Sequence, residues 1–174
     1  MKLSHISKSI LAVLFLTNPV LSKDTAADFS LRSPEGKLLN LKSMLEDGPV
    51  LLDFWATWCK PCVKAMLKLQ QIHDDYKDQG LTVVGVNEDG PSGQSKVKPF
   101  LRGRKLMFPV ALDSDGGLMK RMRVTVLPTT ILIDRDREIV YRQAGFKKGS
   151  EIELIAAIKL VLTQKSADSE GEYP

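Results

Sequence analysis

The chain has 174 residues, 43% of them apolar and 26% charged, with only two cysteines, which suits one compact domain whose core needs no disulfide staples. Its 25 basic and 21 acidic residues give a formal net charge of +4 and are interleaved along the chain, a balance that excludes nucleic acid as a partner. Arg102, Arg104 and Lys105 form a modest basic cluster that reads as a solvated helix end.

Basic residues at Lys2 and Lys8, the apolar run Ile10 to Leu16 and the break at Asn18-Pro19 read as an export signal over residues 1–22. Val20 and Ser22 have the small side chains a cleavage site needs, so cleavage is expected near Ser22-Lys23. The apolar run is too short to span a bilayer, which takes roughly 20 residues. Removing the signal leaves 23 basic against 21 acidic residues, about +2. A periplasmic or otherwise exported location follows. In such a compartment thiols are oxidised by default, yet no cysteine is spent on a structural bridge.

Downstream, Phe29 to Leu31 and Leu38 to Leu41 flank the turn Ser33-Pro34-Glu35-Gly36 and predict an N-terminal β-hairpin. A helical turn over Ser43 to Glu46 ends at Gly48-Pro49. Val50 to Trp55 reads as a strand buried on both faces, interrupted only by Asp53. From Cys59 on, apolar residues at three- and four-residue steps (Cys62, Val63, Met66, Leu67, Leu69, Ile72, Tyr76) predict a long amphipathic helix closed by Gly80. Leu81 to Val86 is a second buried strand. A strand, helix, strand order implies a right-handed crossover in a parallel pair, with the cysteines at the C-terminal edge of the sheet, where α/β proteins place their sites.

A polar loop from Asn87 to Gln94 leads into a helix from Ser95 to about Arg104, accommodating Pro99. A strand at Phe108 to Leu112 and a brief helix at Leu118 to Met122 follow. Thr129 to Ile133 and Glu138 to Ala144 read as an antiparallel hairpin. Ser150 with Glu153 predicts a capping box for a last helix reaching Leu162. Residues 166–174 are polar and patternless, so a disordered tail is expected there. The folded domain is expected over residues 27–162.

Chemistry concentrates at Trp58-Cys59-Lys60-Pro61-Cys62. Two residues between the sulfurs close a small ring on the first turn of a helix, whose N–H groups and dipole stabilise a thiolate on Cys59. Cys59 is therefore the expected nucleophile. Cys62, one turn further in and shielded, resolves the mixed disulfide that Cys59 forms. Structural use is a weak alternative, since so small a loop removes little chain entropy. The second signal is Leu127-Pro128-Thr129, an X-Pro step entering a strand. If that bond is cis, Pro128 packs beside the cysteines and the backbone of Leu127 is free to bond an extended client segment by strand addition. Trp58 is expected on a flat apolar contact surface and Trp55 in the core or beside it. His73, some three turns beyond Cys62, reads as a surface residue rather than a catalytic or metal-binding one. Met107, Met119 and Met122 are too irregularly spaced to mark a copper site.

Asp53 to Cys62 together with Leu127-Pro128-Thr129 closely resemble the thioredoxin superfamily. The signal, the hairpin, the phrase Phe54-Trp55-Ala56-Thr57-Trp58-Cys59 and the extra helix and strand between Asn87 and Leu112 resemble its TlpA/ResA-like branch. That resemblance implies an α/β thioredoxin fold, a central mixed sheet flanked by helices, with the N-terminal β-hairpin and a helix-strand insertion. It also implies an exported thiol-disulfide oxidoreductase, some relatives serving cytochrome c maturation and others copper-site assembly. A disulfide-containing client and a membrane-embedded thiol donor would be its partners, and the chain is expected to be a monomer. No flavin, nicotinamide or metal site is visible.

Many members of the branch carry a glutamate three residues after the second cysteine, where this chain has Ala65. Asp53 stands where thioredoxins carry a buried aspartate. Desolvation there raises a carboxyl pKa and makes it a proton acceptor for Cys62, the alternative being a purely structural acid. The Lys60-Pro61 dipeptide resembles the reducing members. Two rivals stay open: a disulfide oxidase or isomerase, and a copper-binding chaperone using both thiols as soft ligands.

Overall fold

Residues 24–169 are described by the structure, a computed structural model; the expected signal and the last residues of the expected tail lie outside the described residues. Strands β1 (Ser30–Arg32) and β2 (Leu38–Asn40) pair antiparallel as the expected hairpin, closed by a turn in which Gly36 N–H donates to Ser33 O at 2.9 Å. Asn40 Oδ1 accepts from Ser43 N–H at 3.0 Å and so caps α1 (Leu41–Asp47), which takes Leu41 out of the strand and into the helix.

The main sheet has five strands in the order β5-β4-β3-β6-β7: β5 Val110–Leu112, β4 Thr82–Asn87, β3 Val50–Trp55, β6 Thr129–Ile133 and β7 Ile139–Ala144. β3 runs parallel to β4 and antiparallel to β6, and is fully buried because it lies in the middle of a sheet covered on both faces. Alternation along β3 sorts its side chains into two layers. Leu51 and Trp55 pack with α2 (Lys60–Tyr76), α3 (Gln94–Arg104) and α5 (Glu151–Ser169). Val50, Leu52 and Phe54 face the hairpin, α1 and α4 (Gly117–Arg121). Asp53, two residues from both Leu51 and Trp55, therefore falls on the α2 side. The interposed α3 and β5 are the expected insertion, and Trp55 packs against Phe100 of α3 at 5.1 Å between ring centroids.

Three local expectations change. α2 stops at Tyr76 and a single 3-10 turn, Lys77–Gln79, carries the chain to Gly80, whose φ of +99° ends it. The Ser150/Glu153 capping box does not form: Ser150 Oγ donates to Lys147 O, and Glu151 Oε2 accepts from Gly149 N–H at 2.9 Å. Ser150 N–H, the group a capping-box glutamate would take, donates to Lys147 O at 3.2 Å instead. Finally, α5 continues to Ser169, past the Leu162 at which the apolar stripe ends. A stripe reports where a helix is packed, not where its backbone bonding stops.

Candidate active site

The end of β3 and the start of α2 are held in place by Asp89, just past β4. Its carboxylate accepts from the Thr57 N–H at 3.0 and 3.2 Å, from Thr57 Oγ1 at 2.6 Å and from Asn87 Nδ2 at 2.6 Å. Fixed in this way, the turn delivers Cys59 to the N-cap of α2 in extended conformation, with Pro61 in the helix's first turn, where its missing N–H removes no bond. Cys59 Sγ accepts from the Cys62 N–H at 3.3 Å. The two sulfurs are joined at 1.99 Å, with Cα atoms 5.3 Å apart. Cys59 is 6% exposed and Cys62 0%. The pair thus has an outward member at the positive end of a 17-residue helix and an inward member behind it.

Around Cys59 opens a cleft of about 550 Å³ lined by Trp58, Lys60, Met119, Val126, Leu127 and Glu88. Trp58 is 68% exposed and Val126 44%, so apolar surface stands on both sides of the outer sulfur. The Leu127-Pro128 peptide is cis, the geometry on which the expected backbone role depended. Pro128 O accepts from Gly145 N–H and Val126 O from Thr129 Oγ1, both at 2.7 Å, whereas no hydrogen bond within the described residues uses the N–H or C=O of Leu127.

Asp53 is completely buried beneath this site, in the layer that contains Cys62 and Met66. Thr130, its cross-strand neighbour, donates from Oγ1 to Asp53 Oδ1 at 2.9 Å. Oδ2 is buried with no hydrogen-bond partner among the described residues. Burial pushes the carboxyl up to about 7, opposed in part by the Thr130 bond. Thr130 and Pro128, with Ala65, also line a narrow cavity of about 40 Å³ whose lining residues are all different from those of the cleft. Gly85, Asp53's partner on β4, has no room for a side chain: a Cβ there would lie 2.9 Å from Trp55 Nε1.

Sequence reasoning missed Glu88. The residue follows the buried end of β4, its N–H donates to Trp55 O at 2.8 Å, and its side chain lines the Cys59 cleft. Burial pushes its carboxyl up to about 8, assisted by the charge of Asp113, a hydrogen bond with Asp113 and the charge of Asp115. Its place at the C-terminal edge of a parallel strand was the available signal. His73 is corrected as well. It is half-buried, its ring packs edge-on to Phe108 at 6.4 Å and its Nδ1 is shut away from solvent, because α2 leans on the entry to β5.

Residues 22–142 match the model of the AhpC/TSA family. Thiol-disulfide oxidoreductase ResA of Bacillus thuringiensis subsp. konkukian (strain 97-27) is 35% identical over 128 residues, covering 74% of this chain and 72% of that protein. Sporulation thiol-disulfide oxidoreductase A of Bacillus subtilis (strain 168) is 31% identical over 120 residues, covering 68% and 72%. Among solved structures, a Chlorobium tepidum protein assigned as thiol:disulfide interchange protein DsbE matches with a TM-score of 0.74 and 32% identity, covering 80% of this chain and 96% of that one.

Proposed function

The chain belongs to the AhpC/TSA family, within the thioredoxin superfamily, and is a thiol-disulfide oxidoreductase; from that premise we propose that it is an exported reductase of client-protein disulfides. The observation that carries the reading is the Cys59 sulfur, capping α2 inside an apolar-walled cleft while Cys62 lies fully buried behind it.

In the reduced protein the Cys59 thiolate attacks one sulfur of a client disulfide. That bond breaks, a Cys59-client bond forms, and the electron pair leaves on the client's second sulfur. Cys62 then gives its proton to Asp53 and attacks Cys59 Sγ, releasing the first client sulfur with the second electron pair and restoring the Cys59-Cys62 disulfide. Two electrons pass from the pair to the client. With a carboxyl at about 7, Asp53 is poised to accept and return a proton near neutrality, and Thr130 keeps it in register. Trp58 and Val126 supply apolar contact surface, and the free N–H and C=O of Leu127 offer an extended client strand-like bonds. Clients are exported proteins whose paired thiols must be reduced before haem or copper is fitted, and a membrane-embedded thiol donor re-reduces the enzyme.

Insulin reduction by the pre-reduced protein tests this. Cys59→Ser is expected to abolish it, and Cys62→Ser to accumulate a mixed disulfide through Cys59 that identifies the client. Full activity in Cys59→Ser would end the reading. Equilibration against glutathione separates the directions: a potential near −270 mV fits a reductase and one near −120 mV an oxidase.

A further inference from the structure

We propose that Glu88 is the catalytic proton donor to the client sulfur that leaves when Cys59 attacks. This rests on the proposed reductase reading and assigns a proton transfer that reading leaves without a residue, the one to the first client sulfur to depart.

Three observations converge on it. Glu88 lines the cleft that contains Cys59, Trp58 and Leu127, so a client sulfur brought to Cys59 enters the space its carboxyl borders. Its Oε1 is buried and accepts from no donor among the described residues. Asp113, 1% exposed and within hydrogen-bond reach of Glu88, already accepts from Leu118 N–H at 3.0 Å on Oδ1 and from Met119 N–H at 2.8 Å on Oδ2. A carboxylate so occupied is an acceptor, so the proton shared between the two acids is carried by Glu88. Burial and the Asp113 charge push Glu88 up to about 8, which keeps that proton in place at neutral pH.

The acids around Glu88 agree in sign. Asp113 and Asp115 face it from the turn before α4, and Asp89 lies on its own loop with its charge committed to Thr57 and Asn87. Lys60, on the first turn of α2, is the cation of the cleft and is exposed. The two acids of the site then divide the work: Asp53, beneath the sheet edge, serves Cys62, and Glu88, in the cleft, serves the departing client.

The step balances. Cys59 Sγ bonds to the nearer client sulfur, the client S–S bond breaks, and its electron pair stays on the farther sulfur, which takes the Glu88 proton and departs as a thiol. Glu88 is left as a carboxylate and regains a proton from solvent.

The test compares single-turnover rates of the pre-reduced protein with two probes. Hydroxyethyl disulfide has an aliphatic leaving thiol that must be protonated, whereas dithiobis-nitrobenzoate releases an aromatic thiolate that needs no proton. Glu88→Gln keeps the shape and a donor to Asp113 but has no proton to give. It is expected to slow the aliphatic reaction about tenfold more than the aromatic one. In the unsubstituted protein the aliphatic-to-aromatic rate ratio should fall as pH rises through about 8, and that fall should vanish in Glu88→Gln. Equal slowing of both probes, or a ratio independent of pH in the unsubstituted protein, overturns the proposal; the second measurement stands even if the variant does not fold. Failure of the reduced protein to cleave the aromatic probe at all would instead sink the reductase reading.

Discussion

Asp53 is a carboxyl on a strand otherwise made of Val, Leu, Phe and Trp, and its burial has a thermodynamic sign. Its folded-state value of about 7 lies above the ordinary 3.8, so between those values the folded protein holds more protons than the unfolded chain. The stability this group contributes is fully present below pH 4 and is lost as pH rises through about 7. Asp53→Asn should therefore flatten the urea stability profile over that window and leave the variant more stable than the parent at pH 8, by up to about 4 kcal/mol. Glu88 adds a loss of the same sign up to about pH 8, so the variant should retain a weaker slope. A variant less stable by the same amount at every pH would show that Asp53 is ionised and structurally satisfied. At Gly85 the effect is steric: alanine would put Cβ 2.9 Å from Trp55 Nε1 and 3.1 Å from Phe108 Cε2, and the urea midpoint should report a loss of about 1–3 kcal/mol. Cys59, Cys62 and Asp53 were legible because each breaks a local pattern in the sequence. Glu88 was not, since a glutamate after a strand looks like any loop acid until Asp113, 25 positions on, folds beside it.

The turn from β3 into α2 owes its shape to one side chain from another element. Asp89 takes bonds from Thr57 N–H, Thr57 Oγ1 and Asn87 Nδ2, so the residues before Cys59 are fastened to the end of β4 rather than to their own helix. Asp89→Ala should leave Thr57 N–H without a protein partner, speed its amide hydrogen exchange, and lower stability by about 1–3 kcal/mol. Exchange at Thr57 unchanged from the parent would mean that the disulfide ring alone holds the turn. The order and type of the elements could be read from apolar period and turn residues, since buried strands and an amphipathic helix leave unambiguous spacing. Their ends could not. Asn40 chose where α1 begins, Lys147 O drew both the N–H and the hydroxyl of Ser150 away from the expected cap, and α5 outran its own apolar stripe, all decisions made by single hydrogen bonds or by backbone bonding that apolar spacing does not encode.

On the scale of the whole molecule, the core packs around both sulfurs but does not need the bond between them to hold together. The sheet is covered on one face by α2, α3 and α5 and on the other by the hairpin, α1 and α4, and the central strand is buried throughout. Against this, the ring closed by Cys59 and Cys62 spans a sequence separation of only 3. Chain-entropy arguments give so small a loop about 2 kcal/mol of stabilisation, part of which the reduced protein recovers because the Cys59 thiolate gains the α2 dipole and a charge for the Cys62 N–H it already accepts from. The reduced protein should therefore keep the same far-ultraviolet spectrum and unfold in urea within about 2 kcal/mol of the oxidised one. That near-equality is what a redox enzyme requires, because it must remain folded in both of the states between which it cycles. Loss of the cooperative transition on reduction would make the pair a staple, and the chemistry assigned to Cys59, Asp53 and Glu88 would lose its foundation.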